Sequence, residues 1–375
     1  MEQRRSAGHD HWFYESQTSP SAKQAAPLVP ESAHIDDRFL LGLREEAGER
    51  LSLLDAQKPA LLAAQAIGRL LFPDSITPTL THTLTLYDRL CTALTVAQVA
   101  GVQRLCNHYS ARLNPLPGPD SSRQSNNRLT QITQYARQLA MQPELINASA
   151  LKALDAVGLT EPDIVTLNQV VGFVCYQSRV VAGLHALLAL PVRWLPGVIP
   201  APDADETGFG VKHRWQPAVS PVELRYASAT QIAAVTFCQR QPELDEAVWL
   251  LAHDAGVLFR WQSLRQRIAS GPHAQLAEAA AARVLGSRWA FQWFTPAIRD
   301  RLLVSPEEAA AGISEQERII TLSAQLTRSP ERFSAAHLQP LINAGWQPEA
   351  LFNLVQATAI GNWNSRLFYA LGETE

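Results

Sequence analysis

The residues most able to do chemistry are a thiol, an imidazole and a phenol packed into four positions: Cys106, His108 and Tyr109. A thiolate beside an imidazole is a nucleophile with its own base. On a helix, however, positions i and i+2 point about 200° apart, so Cys106 and His108 do not face each other, whereas Cys106 and Tyr109 share a face. Cys175 opens a second candidate. It forms C-x-x-S with Ser178, the shape of a single-thiol site, and Asp163 lies twelve residues before it. His185 follows Cys175 by ten residues, roughly 15 Å along a continuous helix, too far to touch it.

The remaining candidates bind rather than react. Arg179 and Arg366 interrupt apolar helical stretches. A buried arginine needs a carboxylate or carbonyl partner, so each is either a structural tie or an anion clamp at a pocket mouth. Trp289 and Trp293 are four apart and share a face, joined by Phe291 and Phe294. That stripe is core packing or the wall of a cavity for a hydrophobic ligand. His253-Asp254 near the end of a Leu-rich stretch suits helix capping. The four cysteines, Cys91, Cys106, Cys175 and Cys238, are scattered without a C-x-x-C pair, which argues against a disulfide framework and zinc knuckles. The histidines show neither H-x-x-x-H nor H-E-x-x-H, and there is no G-x-G-x-x-G or phosphate loop. No metal and no cofactor is expected.

Helices must position these groups. Apolar residues recur at three- and four-residue intervals over 88–113, 128–142, 161–188, 274–296, 315–328 and 348–371. Asp36-Asp37 supplies an acidic start ahead of FLLGLREEAGERLSLL. Gly158 and Gly345 each separate two helical runs and suit a left-handed C-cap. Only 222–237 is ambiguous between helix and strand. The fold class expected is all-α.

The chain also repeats itself. Shifted by 187 residues, Gln138-Leu139, Pro143-Glu144, Ala148, Leu151, Leu154 and Gly158 fall on Gln325-Leu326, Pro330-Glu331, Ala335, Leu338, Leu341 and Gly345. Ser178-Arg179 falls on Ser365-Arg366, and about 13 of 47 aligned positions are identical. Gly101 pairs with Gly286 at an offset of 185, and Leu70-Leu71 with Leu250-Leu251 at 180. Ordered matches with small drifts mark a tandem copy. The divisions expected are a flexible N-terminal arm over 1–36, a first helical domain over 37–190, a Pro-rich linker over 191–228 and a second helical domain over 229–375. Six prolines between Pro191 and Pro221 forbid continuous helix in that linker.

Two segments of each half resemble the alkylhydroperoxidase D-like, or carboxymuconolactone decarboxylase-like, superfamily. One is the hairpin ending VAQVAGVQRLCNHY; the other is FVCYQSRVVAGL, copied as IGNWNSRLFYAL, with Arg179 and Arg366 carrying the match. The resemblance implies two tandem homologous domains packed as a pseudo-dimer. It implies a metal- and haem-independent peroxidase or thiol oxidoreductase, an antioxidant activity. Active members carry a Glu, then twelve residues later the first Cys of a C-x-x-C, then a His seven after that Cys. Here Leu90, Val102, Leu105 and Tyr109 stand at those places in the first half, and Gln275, Ser287, Ala290 and Phe294 in the second. The motif is degenerate in both. The catalytic route this leaves has Cys106 as nucleophile, His108 or Tyr109 assisting and an external thiol resolving the sulfenate. Two alternatives stand beside it: a non-catalytic binding or assembly scaffold, and decarboxylase-like chemistry with His108 as acid and base. The family further implies a homo-oligomer, a trimer of fused pairs, and a small-molecule thiol or thiol-reductase partner.

Composition bounds the rest. Three hundred and seventy-five residues, 46% hydrophobic and 18% charged, suffice for two cores. A net charge of −3 gives no electrostatic case for nucleic acid or a membrane partner. The first 35 residues are polar, without the apolar run of a secretory signal. Trp12, Phe13 and Tyr14 form an aromatic knot expected to pack on the body. The location expected is cytoplasmic.

Overall fold

The computed structural model describes residues 37–374 apart from 193–199, 240, 246 and 269. The N-terminal arm, with its Trp12-Phe13-Tyr14 knot, lies outside the described residues, as does part of the Pro-rich segment.

The chain is all-α. Thr85 and Asp88 form a reciprocal capping box that starts α2 (Leu86–Ala100), after α1 (Lys58–Leu71). Gly101, at φ 66°, ends α2, and α3 (Gln103–Leu113) follows at once. The 88–113 window is thus two helices, because the left-handed glycine turns the chain. Then come α4 (Arg123–Met141), α5 (Ala148–Ala156) and α6 (Glu161–Leu187). After a two-stranded ribbon element, β1 (Trp215–Pro217), the chain forms α7 (Ala229–Cys238), α8 (Ala255–Arg265), α9 (Pro272–Val284) and α10 (Arg288–Phe291). It closes with α11 (Glu315–Arg328), α12 (Ala335–Ile342), α13 (Pro348–Leu371) and β2 (Gly372–Thr374).

Two further windows differ from the periodicity. Residues 39–54 are broken into short pieces, because Gly42 and Gly48 take φ 85° and 53°, and the Asp37 carboxylate accepts from the N–H groups of Phe39 and Leu40. Gly286, at φ 77°, splits 274–296. The ambiguous 222–237 segment becomes helix from Ser228, whose capping box with Gln231 starts α7. Gly158 and Gly345 adopt φ 86° and 93°, as C-caps require.

α6 and α13 lie along one another at the centre. Around them α2 and α4 pack on α6, and α9 and α11 pack on α13. α1 lies against α8. Trp363 of α13 fills the contact: its ring meets Phe173 and Tyr176 of α6, and its N–H donates to Gln169 Oε1 at 3.0 Å. Among the described helices only α6 is long and apolar enough to cross a bilayer, and 94% of that apolar window is buried inside the protein. The segment after residue 199 packs down. Phe209 and Trp215 are buried, Trp215 donates to Phe368 O at 2.8 Å, and β1 pairs antiparallel with β2 in the register Trp215 to Thr374.

Candidate functional site

α3 carries the first cluster of candidates and divides them. His108 and Tyr109 line a cavity of about 290 Å³ between α1, α3 and α6, with Phe39, Phe72 and Phe173 as its aromatic floor. Their rings stand 5.1 Å apart. The Tyr109 hydroxyl donates to Gln177 Oε1 at 2.6 Å, and Gln177 is itself clamped to the carbonyls of Arg38 and Phe39. Burial pushes the Tyr109 phenol up, which leaves it a hydrogen-bond donor. Gly68 roofs this space: a Cβ there would stand 3.2 Å from Phe173.

The rim is cationic. Arg38 pairs with Asp74 at 2.9 Å. Arg112 donates to the Phe72 carbonyl at 3.0 Å, and burial, then Arg38, pulls its guanidinium down. Arg69 also faces the cavity, and among the described residues neither Arg69 nor Arg112 forms a salt bridge with a carboxylate. Such a pocket suits a flat apolar molecule bearing a negative charge.

Cys106 is not in that cavity. It is 4% exposed in the core, and burial pushes its thiol up to about 12. The sequence brings Cys106 and His108 within two residues, but the helix turns them to different surroundings. The other sulfurs are no better placed. Burial raises Cys91 to about 12 and Cys238 to about 11, and all four cysteines are buried and free of disulfides. Ser178 donates to the Cys175 carbonyl, so C-x-x-S makes an intrahelical bond. Asp163 caps α6 and accepts from Thr83 and Leu84. Asp254 caps α8, and His253 meets the Ser220 carbonyl.

Arg179 and Arg366 are 4% and 2% exposed. Their partners are carbonyls, not carboxylates: Arg179 donates to Thr327 O at 2.7 Å, and Arg366 to Ala140 O at 2.8 Å. Each also bonds the carbonyl four residues back on its own helix. Both line one cavity that Cys175 touches.

Trp289 and Trp293 part company. Trp293 packs edge-on against Phe368 at 4.9 Å, and Arg265 sits over both Trp261 and Trp293. Trp289 lines a separate cavity of about 230 Å³ beside Ser287 and Phe368.

One titratable group went unnoticed in the sequence. Glu278 of α9 is part-buried, and burial pushes its carboxyl up to about 7 against the pull of Arg265. It stands one turn beyond Gln275, so the i, i+3 spacing was the available signal. Among the described residues no group of three His, Cys, Asp or Glu side chains is placed to hold a metal ion. No family model matches this chain, and no curated protein matches it.

Proposed function

We propose that the chain is a fused pair of alkylhydroperoxidase D-like helical modules that has left thiol chemistry behind. Its first-half cavity binds a small carboxylate-bearing molecule, and His108 is the proton-transfer group on it. The observation that carries this reading is the separation of sulfur from the cavity: His108 and Tyr109 share it with an arginine rim, and Cys106 faces the core.

Several correspondences support the pairing. α5 and α12 begin 187 residues apart, as do α6 and α13. Arg179 reaches Thr327 while Arg366 reaches Ala140, and both members of each pair differ by 187. A Cβ at Gly101 would strike Glu331, and one at Gly286 would strike Glu144. Contacts in which i meets j′ and i′ meets j are the mark of a two-fold interface. Against a peroxidase cycle stands the thiol itself, since attack on a peroxide needs a thiolate and a thiol at about 12 is protonated at neutral pH. A trimer of such fused pairs is the assembly this reading favours.

Titration calorimetry of the full chain with benzoate tests the proposal. Benzoate should bind, Arg69→Ala and His108→Ala should weaken it, and prior alkylation with N-ethylmaleimide should leave it unchanged. Peroxide consumption that disappears on alkylation would overturn it, as would benzoate binding indifferent to both substitutions.

A further inference from the structure

We infer that a second cavity, lined by α2, α4, α6, α9, α11 and α13 and by residues 200–204, is a binding site for a small dianion held between the guanidinium groups of Arg179 and Arg366. It stands on its own observations and needs neither the duplication nor the His108 cavity.

The cavity holds about 290 Å³ and both arginines line it. Two like charges have been buried together, and neither has a carboxylate partner among the described residues. Buried charges are ordinarily paired, because carbonyl dipoles replace only part of the lost hydration. Burial and then Arg366 pull the Arg179 guanidinium down to about 9, against the opposing pull of Cys175 and Glu331.

Donor bookkeeping points the same way. A guanidinium has five N–H groups. Arg179 spends its Nη atoms on Cys175 O, Ser178 Oγ and Thr327 O, and its buried Nε–H has no acceptor. Arg366 spends four on Ala140 and Asn362. Donors therefore remain on both sides of one space.

Most other charges around the cavity have partners of their own, although Glu331 also pulls on Arg179. Arg328 bridges Asp203 and Glu307. Glu331 lies 3.4 Å from Arg332, and Glu144 lies 3.9 Å from Arg288. Val99, Ala140, Val284 and Leu285 contribute apolar wall, and Gln98, Arg137 and Gln142 contribute polar wall. Two buried guanidinium groups lining one cavity fit a short-chain dicarboxylate, one carboxylate to each arginine. Inorganic phosphate offers the same charge on a smaller body.

Calorimetric titration of the full chain with succinate and, separately, with inorganic phosphate decides the matter. One saturable site per chain is expected, with the preferred probe showing whether two carboxylates or one phosphate fits. Arg179→Lys and Arg366→Lys keep the charge but lose the planar fork, and each should weaken binding at least about tenfold. Val99→Phe fills the cavity without touching either arginine and should abolish binding; Ala201→Trp, in the connecting segment at the cavity wall, should do the same if Val99→Phe fails to fold. Arg69→Ala should leave this site unchanged, which separates its failure from failure of the His108 cavity. Absence of binding by both probes at millimolar concentration would overturn the inference. So would binding that survives a folded cavity-filling variant.

Discussion

Replacing Glu278 with glutamine should stabilise the protein above neutral pH and do nothing for it in acid. The carboxyl titrates near 7 in the folded chain against an ordinary 4.5. Burial is the first cause, Glu243 adds to it, and Arg265 opposes it. Below the lower value the group is protonated whether the chain is folded or not, so it costs nothing. Between the two values the unfolded chain releases its proton first, and stability falls as pH rises. Above the upper value the penalty is complete. At 1.36 kcal/mol per unit the full shift is worth about 3 kcal/mol, and the part-exposed position of the side chain reduces that to about 1–2 kcal/mol. Glutamine keeps the shape without the charge. Urea denaturation of both proteins at about pH 4, 6 and 8 measures the difference, which should grow from nothing to that value. Parallel curves for wild type and Glu278→Gln across the range would refute the reasoning.

Further substitutions probe the frame around the sites. Asp163→Ala removes acceptors for the N–H groups of Thr83 and Leu84 and for the Thr83 hydroxyl, and should cost about 2–4 kcal/mol in urea denaturation. Gly101→Ala should destabilise by about 1–2 kcal/mol, since the new Cβ meets a left-handed φ of 66° and Glu331 Cβ at 2.8 Å. Gly172→Ala drives a methyl into Trp363 at the α6–α13 contact and should lower the melting temperature by about 5–10 °C, read by circular dichroism.

The helices were legible because their signals are local. Apolar spacing marked α11 and α13 to the residue, and Gly158 and Gly345 marked the ends of α5 and α12 because no other residue enters the left-handed region cheaply. The break at Gly101 lay within an unbroken apolar run and carried no proline. The first short helices were harder, since Gly42 and Gly48 compete with a strong apolar period. The sites were less legible because they depend on partners distant in sequence. Nothing near Arg179 foretells Thr327, and nothing near Cys106 foretells that α3 turns its sulfur to the core and His108 to a cavity. The raised Glu278 was invisible for the same reason: its surroundings come from Arg265 and Glu243.

The central claim is that a thiol-bearing helical scaffold keeps no reactive sulfur. It is tested most directly by treating the native full chain with hydrogen peroxide and dimedone and reading intact mass and tryptic peptides. No dimedone adduct on Cys106, Cys91, Cys175 or Cys238 and no new disulfide is the result predicted. A stoichiometric adduct on Cys106 in the folded protein would contradict it.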